Sequence, residues 1–511
     1  MRSITFHTAL FFITVAAGTV AAANKTLNPA QGNSAWNSTL SSGLAAGDTV
    51  FMENGTYTDF QVQFKGNGTA GSPIVLMARE AGKVKIEGQI NIRMSGHYLE
   101  INGLHFRNGY AKNSDPNSTS DLLEFKTGST VFANNSRVTN CVFDSLNNPN
   151  KSVSNENQTE RWVMLFGKNN RIDHCYFGYK TVGGVMIMDD IRDTGSQNSF
   201  NILEYNFFGP RPKYTPGNGA ETFRPGDSER SQLSAKCILR NNVFYRCDGE
   251  IEIVSLKSCD NIVSNNVFYE CAGMVVCRHG HRNTVYGNVF IGNNKASCGG
   301  VRVINSGHKI YNNFFQGLKG TESRSALCVM TGFDDSYPLN SYYQVKDVDM
   351  SFNTFVNCTS IEIATKASYS GENAPLAPEN TRFWNNLIYN TSLTKAYIDK
   401  GNTGGVDFKG NVYKISSSNS FSKDGFTEKD FDFTANGNGV MYLKGPAVGY
   451  CMPLLFAEKG IDYVTDDISG KSRNNFQEVG AVNIENVREK YNIPAVNEVG
   501  VTWYNYIKPT Y

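Results

Sequence analysis

A short segment recurs along most of this chain and constrains its fold more than any other feature of the sequence. Each copy joins an Asn or Gly turn to a few apolar residues around a phenylalanine, as in "NNVFYRC" and "NNVFYEC". The phenylalanines Phe244, Phe268, Phe290 and Phe315 follow one another at steps of 24, 22 and 25 residues. Related segments begin at positions 140, 174, 205, 287, 312, 352 and 385.

This repeat predicts an all-β fold, a right-handed parallel β-helix in which each coil contributes about three short strands. Strands of this length cannot bury an apolar face alone, but stacking one coil on the next gives a continuous core. We expect ladders of Phe, Val, Ile and Cys inside, with Asn at left-handed turn positions. A leucine-rich repeat would need a leucine spacing that is absent here, and a β-propeller blade needs about 40 residues. The longer step from Phe315 to Phe355 indicates a loop inserted into one coil.

The chain begins with an arginine, an apolar run and then small residues up to Ala23, a pattern typical of a cleavable secretory signal. We therefore predict a signal peptide over 1–23, a β-helix domain over 24–445, and the last coils and a C-terminal capping segment over 446–511. No later window approaches the roughly 18 apolar residues that a membrane span needs. The mature protein is expected to be soluble and either secreted or periplasmic.

The balance of charge argues against two broad classes of partner. The chain has 48 Lys+Arg and 47 Asp+Glu, so neither nucleic acid nor a membrane surface is expected as a general partner. An acidic ligand would have to be held by a local group of cations. The eleven cysteines show no paired zinc-ligand spacing, and we interpret most of them as small apolar core residues.

The stretch "DGEIEIVSLKSCDN" holds the residues most suggestive of chemistry. Glu250 and Glu252 lie two apart, so strand alternation would project both from one face, where their oxygens would suit a hard cation such as Ca²⁺. Lys257 and Arg278 are 21 residues apart, close to one coil, which would bring them to within about 4.8 Å on adjacent coils. A second cation so close would favour the neutral, basic form of the lysine. The ordinary alternative is a solvated strand face with no function.

Three further groups are weaker candidates. Asn218, in "GNGAETFRPGDS", precedes Glu250 by 32 residues and could add a side-chain carbonyl from a neighbouring coil. His279 and His281, in "CRHGHRN", could bind a transition metal, but no third ligand is evident, so substrate contact or simple surface placement is favoured. The adjacent carboxylates in "MIMDDIRD" would point to opposite faces of a strand, which argues against a hydrolytic pair.

The segments "GNGAETFRPG", "DGEIEIVSLKS" and "CRHGHRNTVYGNVF" resemble the hallmark blocks of polysaccharide lyase family six. That family comprises the alginate lyases and chondroitinase B, which are secreted right-handed β-helix enzymes. The resemblance implies a catalytic β-helix domain in which three residues bind Ca²⁺, a lysine acts as base and an arginine as acid. The implied assignments are Asn218, Glu250 and Glu252 for the metal, Lys257 for the base and Arg278 for the acid. Arg224, His279 and His281 are candidates for substrate binding, because a polyanion needs cationic and hydrogen-bonding subsites.

The implied reaction is Ca²⁺-assisted β-elimination in a uronic-acid polymer, which leaves 4,5-unsaturated oligosaccharides. The partner would be an anionic polysaccharide, bound by a monomer or a homodimer. The block around Glu221 resembles the alginate-cleaving members more than the glycine-rich block of chondroitinase B, which favours alginate over dermatan sulfate. A polygalacturonase-like hydrolase would need clustered aspartates near a histidine. A carbohydrate-binding β-helix without activity is the remaining alternative.

Overall fold

Three long sheets of parallel strands make up the computed structural model, which describes residues 22–113, 115, 117–418, 421–444, 461, 463–473, 479–481 and 495–511. Residues 1–21 of the predicted signal peptide and much of 446–511 lie outside the described residues, so those two boundaries stay predictions. Within the described ranges, no helix has the length and apolar character needed to cross a membrane.

Each coil between the first and the last contributes one strand to each sheet, and the strand from Val84 to His97 is long enough to serve two sheets. The first sheet contains Asn24–Leu27, Thr49–Met52, Ile74–Ala78, Leu99–Asn102, Arg137–Thr139, Arg171–Asp173, Ile202–Glu204, Ile238–Arg240, Ile262–Ser264, Thr284–Tyr286, Lys309–Tyr311, Asp349–Ser351, Thr381–Trp384 and Val406–Lys409. The second sheet contains Gly55–Thr58, Val84–His97, His105–Ala111, Val142–Asp144, Tyr176–Gly178, Phe207–Phe208, Val243–Tyr245, Val267–Tyr269, Val289–Ile291, Phe314–Gln316, Thr354–Val356, Leu387–Asn390, Asn411–Ile415 and Phe426–Glu428. The third sheet contains Gln61–Asn67, Val84–His97, Ser120–Glu124, Glu160–Leu165, Ile187–Asp189, Phe223–Pro225, Glu252–Leu256, Met274–Cys277, Val301–Val303, Leu327–Met330, Ile361–Thr365 and Ile398–Asp399.

The remaining elements are short and lie at the ends or in the loops. The α-helix Gly32–Ser41 buries Trp36 and Leu40 against the first coils. Short antiparallel pairs join Lys126–Thr127 to Val131–Asn134, Ser368–Tyr369 to Glu372–Asn373, and Asp432–Ala435 to Met441–Lys444. Single 3₁₀ turns occupy Pro29–Gln31, Thr194–Ser196, Ser228–Arg230, Glu322–Arg324 and Val496–Glu498.

The strand register confirms the predicted parallel β-helix. Phe244 pairs with Phe268, Phe268 with Phe290, and Phe290 with Phe315, so each step of the sequence repeat is one coil. Phe315 then pairs with Phe355, and the extra residues form a loop over 331–348, which is the predicted insertion.

The interior is built from stacked side chains of one kind. Phenylalanine rings from Phe106 to Phe355 lie nearly parallel on successive coils, with centroids 4.5 to 5.3 Å apart. The ten described cysteines are buried with free thiols, which agrees with their interpretation as core residues.

A buried asparagine ladder runs beside the phenylalanine stack. Asn265 has the expected left-handed backbone, with φ 54°, whereas the next residue, Asn266, donates its side-chain amide to Asn288 Oδ1 at 3.0 Å and to Leu239 O at 2.9 Å. The same side-chain bond links Asn206, Asn242, Asn266, Asn288, Asn313, Asn353, Asn386 and Asn411 in turn. The ladder therefore satisfies polar groups at the turn of eight coils.

The described parts of the C-terminal segment pack along the side of the stack. Trp503 donates its indole N–H to Asn140 Oδ1 at 2.8 Å, and the ring of Tyr506 lies 4.7 Å from Tyr176 and 4.6 Å from Phe207. These contacts cover the outer face of the second sheet on its early coils rather than the last coil.

Candidate active site

The predicted residues gather on the outer face of the third sheet. Leu256 pairs with Cys277 in the parallel register, so Lys257 and Arg278 lie on adjacent coils, as their spacing predicts. Gly226 forms a bridge to Lys257 from the preceding coil. The inserted loop over 331–348 contacts this face through Tyr342 and Ser341.

A β-bulge in the strand Glu252–Leu256 brings the carboxylate and the lysine to the same face. Glu252 and Lys257 are five residues apart, so strict alternation would place them on opposite faces. The register shifts between Glu252 and Val254, and both Ile253 and Val254 lie in the core. Ser255 therefore points outward and donates its hydroxyl to Glu252 Oε2 at 2.5 Å. Simple period-two reasoning missed this feature.

Two arginines from successive coils meet on one oxygen of Glu252. Its Oε1 lies 2.9 Å from Arg278 Nε and 2.9 Å from Arg302 Nη2. Burial alone would raise the pKa of Glu252, but the charges of Arg278, Lys257 and Arg302 lower it. Arg278 also stacks on Tyr342, 4.0 Å from the ring centroid. Arg278 Nη1 and Arg302 Nε are buried and find no acceptor among the described residues, so they remain donors for a ligand.

Lys257 lies beside a buried carboxylate that it shares with Arg224. Glu221 Oε1 is 3.4 Å from Lys257 Nζ and 2.9 Å from Arg224 Nη1. Burial opposes ionisation of Glu221, yet the charges of Arg224 and Lys257 hold its pKa well below the usual range. The lysine side chain is 15% exposed, so its amine is within reach of a ligand in the groove.

The side chain of Glu250 is hydrogen-bonded to the backbone of the loop that carries Asn218. Ala220 N donates to Glu250 Oε1 at 3.0 Å. Asn218 is exposed two residues earlier, between Gly217 and Gly219, whose φ values of 78° suit glycine. This exposed amide is free to turn toward a ligand beside Glu250.

The donor set fits a hard cation. Burial, followed by the negative charges of Glu221 and Glu252, raises the pKa of Glu250 to about 9 against the positive charge of Lys257. Glu221 and Glu252 are paired with basic side chains, whereas Glu250 forms no ion pair among the described residues, so a cation beside it would favour its ionised form. Two carboxylates and an amide are the all-oxygen ligands that Ca²⁺ prefers. Across the described ranges, no three His, Cys, Asp or Glu side chains lie close enough together to hold a metal ion, and the third ligand that the sequence predicts is the amide of Asn218.

Both histidines are less accessible than a surface position would suggest. His279 is 3% exposed and its Nδ1 lies 3.1 Å from Ser341 O. Burial, then the charges of Arg278 and Lys257, lowers its pKa to about 2, so it is neutral. His281 Nδ1 lies 2.7 Å from Ser306 Oγ. Their assignment to substrate binding stays a prediction.

The aspartates in "MIMDDIRD" do not form a pair. Asp189 is fully buried and accepts hydrogen bonds from Ser199 Oγ at 2.6 Å and Asn201 Nδ2 at 2.9 Å. Asp190 is paired instead with the guanidinium of Arg192. Their different surroundings agree with the prediction that they are not a hydrolytic pair.

Sequence reasoning did not find Arg302 or Tyr342. Arg302 follows Arg278 by 24 residues, one coil, so the same spacing argument that joined Lys257 to Arg278 would have found it. Tyr342 comes from the inserted loop, where no repeat relates sequence position to place.

These observations define a parallel β-helix whose third sheet carries four basic side chains and three glutamates side by side on its outer face. The sequence model of the family described as Chondroitinase B matches residues 33–448. The chain therefore belongs to the chondroitinase B family, within polysaccharide lyase family six.

Solved structures show the same relationship. The alginate lyase AlyGC of family six is 31% identical, with a TM-score of 0.78 over 95% of this chain and 60% of that one. This chain thus spans about 60% of the length of AlyGC. A mannuronic acid specific family-six lyase from human gut microbiota is 35% identical, with a TM-score of 0.72 over 80% of this chain and 91% of that one. No curated protein matches the chain.

Proposed function

We propose that this protein is a polysaccharide lyase that cleaves a uronic-acid polymer, namely alginate, by β-elimination with the help of Ca²⁺. The observation that carries the proposal is the meeting of Lys257, Arg278 and Arg302 with the carboxylates of Glu221 and Glu252 on the outer side of the third sheet. A polyanion needs such a local group of cations because the whole chain is nearly neutral. In keeping with an extracellular polymer as substrate, we propose that the protein works outside the cytoplasm, in the medium or the periplasm.

The chemistry begins with a proton that is hard to remove. The hydrogen on C5 of a uronate lies next to a carboxylate, so its removal builds a second negative charge on an enolate. A Ca²⁺ held by Asn218, Glu250 and Glu252 would supply the Lewis acid that neutralises that charge. Lys257, in its neutral form, would accept the proton.

Arg278 acts at the other end of the same step. Its unpartnered Nη1 can donate to the developing enolate or to the departing C4 oxygen. Arginine side chains stay protonated up to about pH 12, so we assign Arg278 to charge stabilisation, with water supplying the proton to the leaving oxygen. The tyrosine ring stacked on its guanidinium fixes the direction of that donor.

Alginate is the proposed substrate because of its relatives as well as its residues. One relative above 30% identity is named an alginate lyase and another a mannuronic acid specific lyase. Dermatan sulfate is the second candidate, since the matching family is described as Chondroitinase B. Arg224, His279 and His281 remain our proposed substrate contacts, joined by Arg302 on the evidence of its free, buried Nε.

A substrate panel tests the proposal. The purified protein is incubated with polymannuronate, polyguluronate, dermatan sulfate and polygalacturonate, with Ca²⁺ and with a chelator, while ultraviolet absorbance of the unsaturated product and new reducing ends are both followed. We expect both signals on an alginate block, lost with chelator and restored by Ca²⁺. Reducing ends without absorbance would indicate a hydrolase, and binding with neither signal would indicate a carbohydrate-binding protein.

A further inference from the structure

A buried arginine outside the groove ties the loop that carries Asn218 to the rest of the site. Arg211 is 1% exposed. Its Nη1 donates to Glu221 O at 2.7 Å and its Nη2 donates to Gly184 O at 2.8 Å. The guanidinium thus joins the end of the loop over 212–220, here called the Asn218 loop, to the coil below it.

The same side chain lies against the residue that precedes Glu250. A Cβ added to Gly249 would fall 2.9 Å from Arg211 Nε and 2.6 Å from Ala220 O, so only a glycine lets the strand approach this closely. Gly249 O also accepts a hydrogen bond from Tyr214 N at 2.9 Å. The Glu250 strand and the Asn218 loop therefore meet around one guanidinium.

The contacts continue through the top of the loop. Gly184, whose carbonyl Arg211 binds, donates its own N–H to Gly219 O at 2.6 Å, and Gly219 is the neighbour of Asn218. Both ends of the Asn218 loop are thereby fixed to the backbone that Arg211 holds, whereas the Asn218 side chain is left exposed.

Arg211 is a charged side chain in a buried position, where the loss of solvation is costly. No acidic side chain within the described ranges forms an ion pair with it, and both of its acceptors are backbone carbonyls. Burial lowers its pKa to about 10, against the opposing charges of Glu250 and Glu221. An apolar residue of similar size would avoid this desolvation cost. The advantage of arginine at this position is therefore that its planar guanidinium donates two hydrogen bonds at once.

We propose that Arg211 is a positioning residue for the cation site, holding the Asn218 loop in register with Glu250 so that the amide of Asn218 and the carboxylates of Glu250 and Glu252 face one ion. The inference rests on the proposed function only in taking Ca²⁺ as the ion. Arg211 touches neither ion nor substrate and acts through the backbone of Glu221 and Gly184.

Calcium affinity without polysaccharide is the direct test. Isothermal titration calorimetry with Ca²⁺ would compare the natural protein with Arg211→Met and Arg211→Lys. Lys151→Met is the matched control, because Lys151 is 5% exposed and also donates to two carbonyls, Ser118 O at 2.5 Å and Thr159 O at 2.6 Å, on earlier coils.

We expect Arg211→Met to weaken Ca²⁺ binding about tenfold or more, as substitutions behind metal ligands do. The Ca²⁺ affinity of Arg211→Lys should lie between those of Arg211→Met and the natural protein, because an ammonium group cannot donate both hydrogen bonds in the geometry of a guanidinium. Lys151→Met should bind Ca²⁺ as the natural protein does. At saturating Ca²⁺ the turnover of Arg211→Met should return toward the natural value, since Lys257 and Arg278 are untouched.

Four results would overturn the inference. Unchanged affinity in Arg211→Met would remove the positioning role, and an equal loss in Lys151→Met would reduce it to a general effect of buried charge. If Arg211→Met does not fold, full affinity in Arg211→Lys would refute it. If the natural protein itself binds no Ca²⁺ but still cleaves the polymer, both the positioning role of Arg211 and the proposed Ca²⁺ site would be wrong. The proposal of lyase activity would still stand.

Discussion

Lys257 owes its position beside Glu252 to one extra residue in its strand. The bulge at Ile253 reverses the alternation, so that the outward face carries Glu252, then Ser255, then Lys257. The proximity of Lys257 and Arg278 could be predicted from the sequence because the two residues are one coil apart. The bulge could not be predicted from the sequence, because two adjacent apolar residues in a short strand do not show which of them is the extra one.

The proposed base gives the first prediction. Replacing Lys257 by Met should lower kcat/KM on the best polymer by about a thousandfold, since general-base groups contribute on the order of 10²–10⁴. The thermal unfolding temperature should change little, because this side chain lies at the edge of the groove. Lys85→Met, on the second sheet, is the control and should keep full activity. Equal activity in the two variants would refute the assignment of the base.

The buried Asp189 gives a prediction about pH. Burial raises its pKa to about 6 from a usual value of 3.8, although Ser199, Asn201 and Cys237 all donate to it. The folded state therefore holds this proton more tightly than the unfolded chain does, so the stabilisation is complete below pH 4 and is lost as pH rises through about 6.

The measurement for Asp189 is urea unfolding between pH 4 and pH 7. Relative to Asp189→Asn, which has no proton to lose, the natural protein should become less stable by about 3 kcal/mol across that window. A difference between the two proteins that stays constant with pH would show that Asp189 titrates in the folded state as it does in the unfolded chain.

Among the elements, the turns that contain two successive asparagines divide their roles, because the first Asn adopts the left-handed backbone and the second carries the ladder. The repeat of "NN" predicted left-handed turns, and Asn241, Asn265, Asn312 and Asn385 have φ values of 54–56°. It did not predict that the second Asn would hydrogen-bond to the coils above and below, because composition alone cannot separate a buried amide from an exposed one.

The ladder predicts that substitutions of two neighbouring asparagines change the free energy of unfolding by very different amounts. Asn266→Ala would remove the side-chain donor to Leu239 O and the side-chain acceptor of the Asn242 backbone N–H, together with one bond to each neighbouring ladder amide, and should cost about 3 kcal/mol of unfolding free energy. Asn265→Gly should be close to neutral, because glycine adopts the positive φ readily. Equal losses of stability in the two variants would contradict this division of roles.

The inserted loop over 331–348 marks the limit of sequence reasoning about elements. The long step from Phe315 to Phe355 located the insertion correctly. That the loop returns to the groove, placing Tyr342 on Arg278 and Ser341 O beside His279, depends on its own packing, which no repeat encodes.

The whole molecule combines a stack that its sequence repeat predicted with a C-terminal segment that it did not. Trp503 and Asn140 meet although 363 residues separate them, and the aromatic residues after Val499 cover apolar side chains of the second sheet. The coil period determines which strands pair, but nothing periodic describes a segment that crosses the coils from outside.

For the whole molecule, the central proposal is that the reaction is an elimination and not a hydrolysis. A digest of alginate in ¹⁸O-labelled water, analysed by mass spectrometry, tests it most directly. We predict oligouronates that are one water lighter than hydrolysis products and carry no ¹⁸O, formed by the natural protein and not by Lys257→Met. Saturated oligosaccharides carrying ¹⁸O at the new ends would contradict the account and identify a hydrolase.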